Sequence, residues 1–225
     1  MSQPRLGRLV GALRAFHGEP SGPPVNDPYR LLLWEQVGYM ADDERRLEAF
    51  RALETRVGIE PGKILEAPIA TLRTIVRIGG GIAVNQRAER LRTVAARVQS
   101  AWSGSLDPVL KLPLDAARRE LKRYPSIGEP GAERILLLTG AQPVLGLDSN
   151  ALRVLVRLGY GREDAQWAKT YRSAQSAAGV ELAETVSARR SAVLLLQEHG
   201  RTICRRNAPR CGDCPLAGDC PSAEL

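Results

Sequence analysis

Hydrophobic positions along the chain recur at helical spacing and hardly ever alternate. Leu6, Leu9, Val10, Leu13 and Phe16 fall at i, i+3, i+4, i+7 and i+10, which predicts one face of a first helix. The stretch GEPSGPPVNDP, Gly18 to Pro28, breaks that pattern and reads as an extended linker. Beyond it come an apolar stretch around Tyr29–Met40 and an amphipathic one with Leu47, Phe50, Leu53 and Val57. Ile69, Leu72, Ile75 and Val76 make another, ended by Gly79, Gly80 and Gly81. Ala88, Leu91, Val94, Ala95, Val98 and Trp102 mark a longer helix. Leu114, Ala117, Leu121 and Tyr124 lead into Pro125, and a further helix is expected from about Pro130 to Thr139. After Asp148, the positions Leu152, Leu155 and Val156 open another, followed by helices near Trp167–Ala178 and Ala183–His199. No segment shows a period of two. The predicted class is all-α.

Length and charge sharpen this picture. At 225 residues the chain fits two small helical domains or one elongated fold. It carries 32 basic against 25 acidic residues, a net charge of +7, which points to a polyanionic partner beyond mere solubility. Lysine occurs only at Lys63, Lys111, Lys122 and Lys169; the other basic residues are arginines, whose planar fork of donors suits phosphate. No apolar run is long enough for a signal peptide or a membrane span, so the expected location is cytoplasmic. In a reducing compartment four cysteines point to metal binding more than to disulfides.

Those cysteines are Cys204, Cys211, Cys214 and Cys220, spaced C-x6-C-x2-C-x5-C, and the chain has no others. Four thiolates in one short loop can wrap a compact inorganic core. A zinc ribbon usually pairs two C-x2-C knuckles, and only one is present; the spacing favours an iron–sulfur cluster over zinc. Arg201, Arg205, Arg206 and Arg210 stand around the first two cysteines. They either offset thiolate charge or present cations to phosphate, and the two roles are compatible.

Residues Leu121–Thr139 read helix, short turn, helix. Backbone N–H groups of the turn, Ser126, Ile127 and Gly128, can hold a phosphate oxygen, with Gly128 expected to supply the unusual backbone conformation. Asp148 precedes an apolar-periodic run, so it suits a helix N-cap.

Taken in order, the hairpin, LDSNALRVLVRLG, EHGRTIC and the cysteine spacing resemble endonuclease III-type DNA glycosylases, of the helix-hairpin-helix superfamily, over nearly the whole chain. The resemblance implies two helical domains with the DNA and active-site cleft between them. One is a six-helix barrel over residues 24–142 that ends in the helix-hairpin-helix. The other is an iron–sulfur domain from residues 1–23 and 143–225, with a [4Fe-4S] cluster on the four cysteines. It further implies base excision repair by a monomer on the nucleoid, with Asp148 as the catalytic aspartate. The partner is double-stranded DNA holding a lesion or mismatch.

Two departures bear on chemistry. Pro130 stands where many members carry the lysine that forms a Schiff base, so lyase activity is not expected; Pro130 also suits a first helical turn. Ser126 replaces the first hairpin glycine. Lys122 is a weaker candidate amine. DPYRLLLWE resembles the opening of the adenine and mismatch glycosylases, which implies Glu35 as proton donor to the leaving base while Asp148 stays ionised. Met40 falls where that branch places a polar wedge, and either wedges a base step or fills the core. A non-catalytic reader of DNA lesions, or a glycosylase/lyase using another amine, are the competing readings.

Overall fold

In the computed structural model, which describes residues 4–224, all regular structure is helical and no strand occurs among the described residues. The elements are α1 (Arg5–His17), α2 (Pro28–Val37), α3 (Asp43–Arg56), α4 (Pro61–Glu66), α5 (Ile69–Ile78) and α6 (Val84–Trp102). They continue with α7 (Asp107–Leu110), α8 (Leu114–Leu121), α9 (Glu129–Leu138), α10 (Ser149–Arg157), α11 (Trp167–Glu181) and α12 (Val186–Thr202). Two single 3-10 turns, Cys211–Asp213 and Ala217–Asp219, follow within the cysteine loop. No helix among the described residues is long and apolar enough to cross a membrane. The short helices α4 and α7 escape the periodicity reading because they are too short to display a face.

The chain divides into two units: Pro23–Ala132, and the N-terminal segment up to Gly22 joined to Glu133 onward. In the first, α6 packs against α2, α4 and α5. Helix α2 is apolar on nearly every side (Leu31, Leu32, Leu33, Trp34 and Val37 are all buried), so it runs through the core. It starts sharply because Asp27 accepts the Arg30 N–H at 2.8 Å and Pro28 takes the first turn. Asp42 caps α3 in the same way.

In the second unit α12 packs on α10 and α1. Gly200 permits the first of these contacts, since a Cβ there would stand 2.6 Å from the Asn150 carbonyl oxygen. The division between units falls inside α9, ten residues before the expected limit at Gln142. Glu133 explains why. Fully buried, it accepts hydrogen bonds from the Tyr171 hydroxyl (2.5 Å) and Gln175 Nε2 (2.6 Å), which commits the rest of α9 to α11. The stripe of α1 also needs correction. Leu6, Leu9 and Leu13 are buried, but Phe16, in the last turn, is 48% exposed and meets His17 edge-on.

Candidate active site, cysteine loop and nucleic-acid interface

Asp148 is the N-cap of α10. Its Oδ1 accepts the Ala151 N–H at 2.8 Å, which satisfies one of the unpaired donors of the first turn. Capping uses only one oxygen. Oδ2 lies 3.4 Å from Asn150 Nδ2 and 3.8 Å from Arg134 Nη1, and the carboxylate keeps 22% of its surface open. The segment leading in is pinned as well: the Leu145 carbonyl accepts from Gln175 Nε2 (2.9 Å) and the Tyr171 hydroxyl (3.2 Å). The two roles expected for Asp148 are therefore compatible, because the cap fixes the group without consuming it.

The four cysteines are free and line one pocket together with Arg157, Ile203 and Leu216's neighbour Ala217. Among the described residues, no three His, Cys, Asp or Glu side chains are grouped to hold a single metal ion. Several N–H groups point at the sulfurs. Arg157 Nη1 is 3.3 Å from Cys204 Sγ, the Leu216 N–H is 3.4 Å from Cys214 Sγ, and His199 Nε2 lies at the same distance from Cys214 Sγ. Burial pushes the Cys214 thiol up, the Leu216 N–H opposes it, and the charges of the other three sulfurs add a smaller upward push. His199 is pushed down to about 4 by burial and by His17, so it is neutral near pH 7.

Two arginines that sequence reading did not single out organise this loop. Arg153 and Arg157 lie one turn apart on α10. Arg153 donates to the carbonyls of Gly200 (2.6 Å) and Cys204 (2.9 Å), and Arg157 to those of Arg205 (2.7 Å) and Arg206 (3.2 Å). Of the four loop cations expected to meet phosphate, Arg201 is paired with Glu198 and Arg210 with Asp213, each at 2.6 Å. Arg205 and Arg206 are exposed, and among the described residues neither meets a carboxylate.

The hairpin turn corrects one expectation. Positive φ falls on Ser126 (66°), not on Gly128, because the chain reverses immediately after Pro125. Ser126 and Gly128 are exposed, whereas the Ile127 side chain is buried and its N–H donates to the Tyr124 carbonyl at 3.2 Å. Pro130 sits in the first turn of α9, where its missing N–H leaves no gap. Lys122 is the C-cap that follows α8, with Nζ 4.0 Å from Glu129. Gln36 Nε2 donates to the Pro125 carbonyl (3.0 Å), tying α2 to the turn, and the neighbouring Glu35 is half-buried.

Met40 does not fill the core. It is 80% exposed at φ 50°, beside Tyr39, which is 51% exposed. The adjacent α5–α6 loop presents Ile82, 51% exposed, which the glycine-rich reading passed over. The two loops touch through the Tyr39 N–H on the Gly79 carbonyl (3.0 Å), and a Cβ on Gly79 would lie 2.0 Å from the Val37 carbonyl oxygen. Buried Arg87 fastens both. Its guanidinium donates to the carbonyls of Gln36, Val37, Val76, Gly79, Gly80 and Ile82 at 2.5–3.2 Å. The result is a rigid tip with an apolar surface.

The fold matches a solved endonuclease III trapped as a covalent intermediate with DNA. The TM-score is 0.75 at 19% identity, covering 96% of this chain and 94% of that one. The chain has the endonuclease III fold. Its sequence is similar to the adenine DNA glycosylase of Mycolicibacterium smegmatis, 31% identical over 143 residues, 64% of this chain and 45% of that protein. It is also similar to the endonuclease III of Thermotoga maritima, 24% identical over 199 residues, which covers 88% of this chain and 84% of that enzyme. The match thus spans less than half the length of the first relative. No protein-family model matches the chain.

Proposed function

We propose that this chain is a base excision repair DNA glycosylase that flips a damaged or mispaired base out of double-stranded DNA and hydrolyses its N-glycosidic bond. The observation that carries the reading is Asp148, whose Oδ1 is fixed by the α10 N-terminus while Oδ2 stays beside Arg134 and Asn150. Bond cleavage develops positive charge on the sugar, and a carboxylate fixed in one place stabilises that charge or orients the attacking water. Glu35 is the candidate proton donor to the departing base. Extruding a base costs a few kcal/mol, least at a weakened pair, and exposed Met40 and Ile82 suit wedging the stack.

Backbone contacts fall to the exposed turn at Ser126 and Gly128 and to Arg205 and Arg206, with the paired Arg201 and Arg210 beside them. Cys204, Cys211, Cys214 and Cys220 would hold a [4Fe-4S] cluster. A set of four thiols that line one pocket and accept N–H groups fits such a core. When bound, the cluster supplies a cross-link that shapes the arginine loop and a one-electron couple. Pro130 offers no amine, so the enzyme hydrolyses without nicking. We read it as a monomer that works on chromosomal DNA in the cytoplasm.

Incubation with oligonucleotides that each carry one mismatch or lesion tests the assignment. Strand breaks that appear only after alkali are expected. Breaks without alkali, with borohydride trapping, would replace it by a lyase using Lys122 or another amine. Tight lesion binding with no product on any substrate would replace it by a non-catalytic reader.

A further inference from the structure

The chain contains two histidines, and both lie on one line that ends at a cysteine of the proposed cluster. His17 closes α1, and its Nε2 is 3.1 Å from His199 Nδ1. His199, on α12 and 1% exposed, has its Nε2 3.4 Å from Cys214 Sγ. The two rings meet edge-on with centroids 5.4 Å apart. We propose that this line donates a hydrogen bond to Cys214 and raises the reduction potential of the cluster, an inference that rests on the cluster reading above.

One arrangement of protons satisfies every atom on the line. A cysteine sulfur bound to iron accepts hydrogen bonds and donates none, so His199 Nε2 carries the proton. His199 Nδ1 meets His17 Nε2 at 3.1 Å, and only one of two facing nitrogens can carry the proton between them. With that proton on His17 Nε2, His199 keeps its own on Nε2, toward Cys214. The partner of each ring thus selects the tautomer of the next, and the outer ring fixes a proton that points at sulfur two steps away. Adding an electron to a cluster increases the negative charge spread over its thiolates, and every N–H aimed at a sulfur stabilises that reduced form. Arg157 on Cys204 and the Leu216 N–H on Cys214 act in the same direction, but neither has its geometry set by a second side chain of the same kind.

The test is a redox titration of the cluster-loaded protein followed by visible absorption and electron paramagnetic resonance. His199→Phe keeps a ring without a donor and is expected to move the midpoint to a more negative potential. His199→Gln, which retains an N–H, restores part of the shift. His17→Phe gives a smaller shift of the same sign, because His199 is then free to place a bare nitrogen against the sulfur. Nitrogen-15 spectra of histidine-labelled protein should show both rings as the Nε2–H tautomer, with that preference lost at His199 in His17→Phe. An unchanged midpoint in His199→Phe at full cluster content would overturn the proposal. If His199→Phe loses its cluster, the His17→Phe midpoint and tautomer decide in the same way. A wild-type protein prepared without oxygen and found free of iron would overturn the cluster reading itself.

Discussion

The tip formed by Tyr39, Met40 and Ile82 and the loop from Cys204 to Cys220 both expose side chains that the proposed function turns toward DNA, yet they are held differently. The tip is fastened from inside by Arg87, whose guanidinium gathers six carbonyl oxygens of two loops. Protein atoms complete it. The cysteine loop buries little beyond Ile203 and Leu216, and side chains pin its backbone at its two ends, Arg153 and Arg157 at the entrance and Arg5 on the Asp219 carbonyl (2.7 Å). What remains are four thiols around a pocket, a set that asks for a core from outside. A short loop can therefore be made rigid either by one well-placed donor or by a borrowed inorganic centre, and the two solutions should fail under different insults.

The largest effect should come from the proposed cluster. Replacing Cys211 by serine, or stripping iron, is expected to raise amide exchange across 204–220 by roughly a hundredfold or more while the tip keeps its protection. Equal loosening of both regions would erase the distinction. The reverse experiment removes the internal donor. Arg87→Met leaves buried carbonyls unpaired and should lower stability by about 3–5 kcal/mol in urea titrations. The tip should then exchange faster, with the cluster absorption unchanged.

A smaller effect sharpens the account of the loop's surface. Arg205→Gln and Arg206→Gln should each lower the salt dependence of DNA binding by about one counterion, uniformly across sequences. Arg210→Gln should do less, since Asp213 already holds that cation. Equal losses at all three positions would mean the Asp213 pair opens on binding.

Much of this architecture is legible along the chain because it rests on local signals. The apolar stripes mark the longer helices, Asp148 announces a helix start, and the four closely spaced cysteines come to line one pocket. What escapes is whatever depends on distant partners. Arg87, Arg153 and Arg157 look like ordinary members of an arginine-rich set until the carbonyls they meet, up to 51 residues away, are in view. Gly200 looks like a helix defect until Asn150 is seen beside it. At the hairpin the expectation that glycine takes the strained position fails, because Pro125 sets the reversal one residue later and Ser126 accepts the positive φ. Met40, open to either a core or a surface role in the sequence, is settled as surface by a backbone that Arg87 holds in place.

The central claim is that a helix-capping aspartate is also the group that answers charge on the sugar. Single-turnover base release by wild type and Asp148→Asn, with lesion binding measured on the same samples, addresses it most directly. Asparagine keeps a cap oxygen, so the fold and DNA affinity should persist while release falls by roughly a hundredfold or more, the scale of a positioned acid–base or charge-stabilising group. Release at the wild-type rate from fully bound DNA would contradict the assignment.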